Sequence, residues 1–142
     1  MADQEWDPRF AAVKEWELLQ TQVEGYEKHG LYIKLVATAL VATALLTAAG
    51  SSILMAAMIA LLWLQEGIWK TFQSRLEARL LELEDMIAGD KPVAPCQLHN
   101  QWQATRPGLV GLVQEYVKQS LRPTVAYPYV ALIALLALRC WW

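Results

Sequence analysis

LYIKLVATALVATALLTAAGSSILMAAMIALLWLQEGIW, residues 31–69, decides how the whole chain is read. It consists of two apolar runs, 31–49 and 53–69, separated by Gly50, Ser51 and Ser52, residue types that make tight turns. A helix rises 1.5 Å per residue, so the first run covers about 28 Å, close to the thickness of bilayer hydrocarbon. The second reaches a similar length if Ser52 and Lys70 are counted at its ends. Backbone in hydrocarbon must satisfy its own hydrogen bonds, which predicts a helix for each run. A soluble protein would have to cover both runs on every side, and the remaining chain has too little apolar surface to do it.

Composition agrees. The chain has 142 residues, 56% hydrophobic and 18% charged, displaced from soluble norms toward membrane proteins. A net charge of -2 with no concentrated basic surface argues against nucleic acid as a partner. The first apolar run starts only at Leu31 and no basic segment leads directly into it, so a cleaved signal peptide is not predicted. Cys96 and Cys140 do not make a disulfide framework.

A third apolar segment, TVAYPYVALIALLALRCWW (124–142), is predicted to span as well. Pro128 would kink it, which membrane helices tolerate, Arg139 can snorkel, and Trp141 and Trp142 suit the headgroup layer. Basic residues set the orientation. The turn at 50–52 has none, whereas Arg9, Lys14, Lys28 and Lys34 precede it and seven more lie between Lys70 and Arg122. The positive-inside rule then puts the N-terminus and middle region in the cytoplasm and the turn and C-terminus outside, in the inner or plasma membrane if the source is prokaryotic.

The charged flanks are helical in pattern too. Ala12, Trp16, Leu19, Val23 and Tyr26 form one stripe; Trp69, Phe72, Leu76, Leu80, Leu83 and Ile87 form another. Asp7-Pro8 is a helix start and Gly89 a helix stop. Folding the chain back at Ser51 pairs residues whose numbers sum to about 102, so that Leu19 meets Leu83, Tyr26 meets Leu76, Trp16 meets Met86, Glu27 faces Arg75, and Lys34 falls within a turn of Glu66. The fold predicted is an all-α membrane protein: a long antiparallel transmembrane helical hairpin extended into the cytoplasm, a short amphipathic helix, and a third, C-terminal transmembrane helix. Its segments are a cytoplasmic N-terminal amphipathic helix (1–30), transmembrane helix 1 (31–49), the external turn (50–52), transmembrane helix 2 (53–69), a cytoplasmic amphipathic helix (70–88), a loop (89–106), an interfacial helix (107–122) and transmembrane helix 3 (124–142). In the interfacial helix Leu109, Leu112, Val113 and Tyr116 share one side, with Pro107 at the first turn.

Lys34 and Glu66 lie about one turn inside their apolar runs. Ionisable groups at such depth are functional candidates by default, but Lys can snorkel and the two can neutralise each other, so a structural ion pair is expected. Three lines of small residues permit close helix packing in lipid: Ala39, Thr43, Thr47; Ala44, Ala48, Ser52; and Ala56, Ala60. One hairpin contact uses at most two of them, which predicts a homo-oligomer. Trp6 and Trp102 are expected to be exposed and to serve as contacts for a protein partner. Arg75 and Arg79 read as stalk charge that could be drawn to anionic headgroups, and Glu77, Glu82, Glu84 and Asp85 as solvated helix surface.

No catalytic motif is present: no GxxxxGK[ST], no GxGxxG after a strand, no HExxH. Cys96 and His99 stand three residues apart with His29 the only other histidine, and a structural zinc takes four ligands, so neither metal nor cofactor is expected. The leading expectation is a non-catalytic small integral membrane protein, a self-associating scaffold or accessory subunit that recruits a cytoplasmic or membrane partner. The alternatives are an oligomeric ion channel or permeabilising effector, with Thr43, Thr47 and Ser51 as a polar track and Lys34 as a charged ring, and, less favoured, a lipid-modifying membrane enzyme.

Overall fold

A computed structural model of the protein describes residues 7–47, 51–89 and 94–141. Those residues are all-helical, with five helices and no strand: α1 Pro8–Thr47, α2 Ser52–Ala88, α3 Leu98–Thr105, α4 Leu109–Ser120 and α5 Pro123–Trp141. Trp6, Ala48 and Trp142, three of the residues singled out above, and Gly50 of the turn lie outside the described residues.

α1 starts where its sequence allows. The Asp7 carboxylate accepts the Arg9 backbone N–H at 2.9 Å, and Pro8 brings no N–H that would need a partner. α1 then runs for 40 residues through both its charged and its apolar half, and α2 for 37. At 1.5 Å per residue these are rods of about 60 and 55 Å. α2 ends on Gly89, whose φ of 87° is the left-handed conformation that glycine adopts without steric cost; its N–H bonds the carbonyls of Met86 and Asp85.

α1 and α2 are each long and apolar enough to cross a membrane, and α4 with α5 makes up to a third such unit, bent by 71°. The surface of the apolar half fits a lipid solvent. Leu46 is 86% exposed, Ile53 82%, and Leu54, Leu61, Leu35 and Val36 are exposed with them.

Contacts between α1 and α2 run in opposite numerical order. Lys34 meets Glu66, Glu27 meets Gln73, and Trp16 meets Glu84, pairs whose numbers all add to 100. Other pairs across the two helices scatter around these, His29 with Trp69 adding to 98 and Glu15 with Arg79 to 94, and Arg75, expected opposite Glu27, reaches Glu115 on α4 instead. Two separate cores lie along the pair. In the charged half Ala12, Leu19, Val23, Leu80 and Leu83 are buried, flanked by Trp16, Leu76, Met86, Ile87 and Leu98. In the apolar half Ala37, Val41 and Ile59 are buried against Val125, Tyr129, Leu132 and Leu136 of α5. Tyr129 sits at the level of Lys34 and Glu66; ten residues on, Arg139 reaches Ala44, ten residues past Lys34. α5 and α1 therefore advance side by side in the same direction.

Three details depart from the sequence reading. The segment 89–106, expected as loop, contains α3. Its eight polar-rich residues would not hold a helix alone, but Leu98 packs against the charged-half core and Trp102 against Arg75. Pro107 stands outside α4, which starts from Gly108. The apolar residues of α4 do not form a single side: Leu112 and Tyr116 are half-buried, while Leu109 and Val113 are exposed. Pro123 explains the bend. It cannot donate an amide into α4 and its ring would strike the carbonyl one turn back, so a new helix starts there, with the N–H groups of Val125 and Ala126 both bonding Arg122 O. Pro128 lies inside α5 without ending it.

Candidate functional site

The strongest concentration of chemistry lies where α1, α2 and α5 meet. Glu66 is wholly buried. Lys34 Nζ lies 2.9 Å from its Oε1, an ionic contact not aligned as a hydrogen bond, and Tyr129 donates its hydroxyl to Oε2 at 2.6 Å. Gly30 packs beside the carboxylate, where a Cβ would stand at ordinary contact distance, 3.7 Å, from Oε1. The ring of Trp63 stacks on Tyr129 at 6.1 Å. A buried carboxylate without partners costs several kcal/mol, which is why one cation and one hydroxyl converge on it. The arrangement ties three helices at one point.

A second polar layer joins α4 to α2. Gly67 is buried under Ser120; a Cβ at Gly67 would lie 1.8 Å from Ser120 Oγ and 3.2 Å from the backbone carbonyl of Tyr116. Only glycine permits that approach, a reason to keep a residue that weakens a helix interior. Trp63 Nε1 donates to Ser120 O at 2.8 Å, Gln119 Nε2 to Ser74 Oγ at 3.2 Å, and Arg75 pairs with Glu115 at 2.8 Å. The Oε1 of Gln119 is buried with no hydrogen-bond partner.

The third cluster is in the charged half. Arg79 is 2% exposed, and it bonds Glu15 at 2.9 and 3.2 Å, Glu82 at 3.1 Å, Gln101 at 3.0 Å and Ala94 O at 2.9 Å. Burial opposes its charge, but the carboxylates of Glu15 and Glu82 outweigh burial and hold the guanidinium above its ordinary pKa. Glu15 also accepts the backbone N–H of Cys96, a residue in the left-handed conformation at φ 61°. Arg79 is therefore not surface charge facing headgroups, as its neighbours in sequence imply; it fastens the segment leading into α3 to the α1–α2 pair. Glu82 belongs to the same cluster rather than to a purely solvated face.

The remaining residues singled out by sequence are placed as follows. Leu19 and Leu83 are buried in the charged-half core, and Trp16, Tyr26, Leu76 and Met86 are half-buried. The line Ala39, Thr43, Thr47 is exposed and borders an open groove with Val36, Leu40 and Met55. Thr43 and Thr47 donate their hydroxyls to carbonyls four residues back in their own helix. Ala44 is buried and its carbonyl accepts Arg139 at 2.7 Å; Ser52 is half-buried. Ala56 packs on the apolar-half core while Ala60 is exposed, so these two do not share a packed face. Trp102 is half-buried rather than exposed, its ring lying between the guanidinium groups of Arg75 at 5.1 Å and Arg106 at 4.9 Å. Trp102 and Arg75 line a cavity of about 220 Å³ beside α3 with Tyr26, Phe72, Leu76, Leu98 and His99. Among the described residues no three His, Cys, Asp or Glu side chains converge as metal ligands would.

Sequence reasoning misses Tyr129, Gly67 with Ser120, and the role of Arg79. A signal existed for the first: a tyrosine hydroxyl within an apolar helix needs a polar partner, and Glu66 is the acceptor at matching depth. No family model, curated protein or solved structure matches this chain.

Proposed function

We propose that this protein is a non-catalytic membrane scaffold or accessory subunit, built on three spans and self-associating in the bilayer. α1 and α2 cross as an antiparallel hairpin and continue as a stalk about 30 Å into the cytoplasm; α5 crosses beside them. The Lys and Arg distribution supports a cytoplasmic N-terminus and stalk, with the turn and C-terminus outside.

One observation carries the reading: the deeply placed ionisable groups are engaged in joining helices. Glu66 holds Lys34 and Tyr129, Arg139 holds the Ala44 carbonyl, and Arg79 holds three segments together. The result is a rigid rod rising from an anchored bundle. Leu18 and Leu81, 68% and 63% exposed on the charged halves of α1 and α2, are the positions at which contact with another polypeptide is tested. A second reading, an oligomeric channel, draws on the exposed line of Ala39, Thr43 and Thr47. It is weakened because Lys34 is held by Glu66 and the threonine hydroxyls are donated to their own helix.

The test is reconstitution. Purified protein in liposomes should pass no ions, light scattering should report more than one copy per particle, and photo-crosslinkers at Leu18 and Leu81 should trap one defined polypeptide in native membranes. Ion flux from the protein alone would favour the channel; a monomer that crosslinks to nothing would end the scaffold reading.

A further inference from the structure

α4 has three faces rather than two. Leu112, Tyr116, Gln119 and Ser120 turn toward α2. Leu109, Val110, Val113, Val117 and Leu121 lie together on a second face, every one exposed, Leu109 to 81%. Gln114, Lys118 and Arg122 recur every fourth residue on a third, also exposed. At 3.6 residues per turn the apolar and the basic faces fall on opposite flanks of the face packed on α2. α4 is the most amphipathic of the five helices and sits at 71° to α5. Beside a span that follows the bilayer normal, such a helix lies within about 20° of the membrane plane, at the level where α5 enters. One flank then faces acyl chains and the other faces the cytoplasm.

Charge points to the kind of lipid. Glu115 is neutralised by Arg75, whereas Lys118 and Arg122 make no ion pair among the described residues, and Arg106 stands exposed two residues ahead of the α4 cap. We propose that α4 is a membrane-surface helix, seated in the headgroup layer by its apolar flank, that gathers anionic lipid around the bundle through Lys118, Arg122 and Arg106. The proposal rests on the reading of α2 and α5 as spans. The competing occupant of the apolar flank is a second copy of the chain.

The experiment uses the full chain with Cys96→Ser and Cys140→Ser, carrying a single dye-labelled cysteine at Val113, Lys118 or Leu135, in nanodiscs of phosphatidylcholine mixed with phosphatidylglycerol. The dye at Val113 should be quenched by lipids brominated high on the acyl chain and shielded from iodide; the dye at Lys118 should show the reverse. Lys118→Gln with Arg122→Gln should lower the preference of spin-labelled phosphatidylglycerol over phosphatidylcholine by about fivefold per cation removed. Equal iodide access at Val113 and Lys118 overturns the seat, and disulfide crosslinking between copies at Val113 gives that flank to a second subunit. Unchanged lipid preference overturns the anionic selectivity. Leu135 keeps the two levels apart: if its dye escapes lipid quenching, it is the spanning reading that has failed, and the α4 proposal with it.

Discussion

Lys34 with Glu66 in the apolar half and Arg79 with Glu15 in the charged half each join α1 to α2 around one buried charge, Glu66 in the first and Arg79 in the second, yet their settings differ. The first sits among Leu, Ala and Val whose outer faces are exposed apolar surface, with one hydroxyl as its further partner. The second sits in the charged half, above a leucine core, and gathers an amide, a second carboxylate and a backbone carbonyl. In the proposed topology, water supplies a hydrophobic drive that closes the charged half on its leucines. Lipid gives no such drive, so the apolar half depends on close packing and on polar ties. One pair of helices is thus held by different forces at its two ends.

The most severe way to break this contrast is to unpair Glu66. Lys34→Met should cost about 3–5 kcal/mol, the penalty of leaving a buried charge without its partner. Adding Glu66→Met should restore most of it. Thermal unfolding in detergent measures both, and a double variant as unstable as the single would mean that packing, not charge, is at stake.

A matched pair of truncations then compares the two solvents. Leu83 and Ile59 are both fully buried, one in each core. Leu83→Ala should lose about 3 kcal/mol, transfer and cavity terms together. Ile59→Ala should lose about 1 kcal/mol, because its unfolded reference remains in lipid and only packing is forfeited. Equal losses would place both cores in the same solvent.

At the boundary between the halves, Gly67→Ala should cost about 1–3 kcal/mol by overpacking against α4. Ser120→Ala in the same chain should relieve part of the cost, since the Cβ at position 120 and the Tyr116 carbonyl would still stand 3.0 and 3.2 Å from the new methyl. Emission from Trp63, whose indole bonds Ser120 O, reports the separation. The smallest effect lies at the far end of the charged half. Cys96→Gly should stabilise by about 1 kcal/mol by removing the left-handed strain of a side-chain-bearing residue, seen as a small rise in Tm.

The long helices are legible in the sequence because their signals are local: apolar runs of bilayer length, an uninterrupted 3.6-residue stripe, Asp7-Pro8 at one end and Gly89 at the other. Lys34 and Glu66 draw notice as charges within apolar runs. What is not legible depends on which neighbour arrives from far away in the chain. Arg79 looks like its charged neighbours until Gln101 and the Ala94 carbonyl close over it. α3 exists only because the stalk core accepts Leu98, and the apolar residues of α4 divide between two faces because Gly67 lets Ser120 come so near.

The contacts of α5 also carry an order in time. The two polar partners that its described side chains find on α1 and α2, Glu66 for Tyr129 and the Ala44 carbonyl for Arg139, belong to helices that leave the ribosome earlier. Lys34 can neutralise Glu66 before Tyr129 has been made, so the first two helices can wait in the bilayer as a charge-balanced pair. The last helix carries a guanidinium in its final turns and docks against a finished template. The order of the chain thereby makes α1 and α2 a charge-balanced surface on which the third helix can dock.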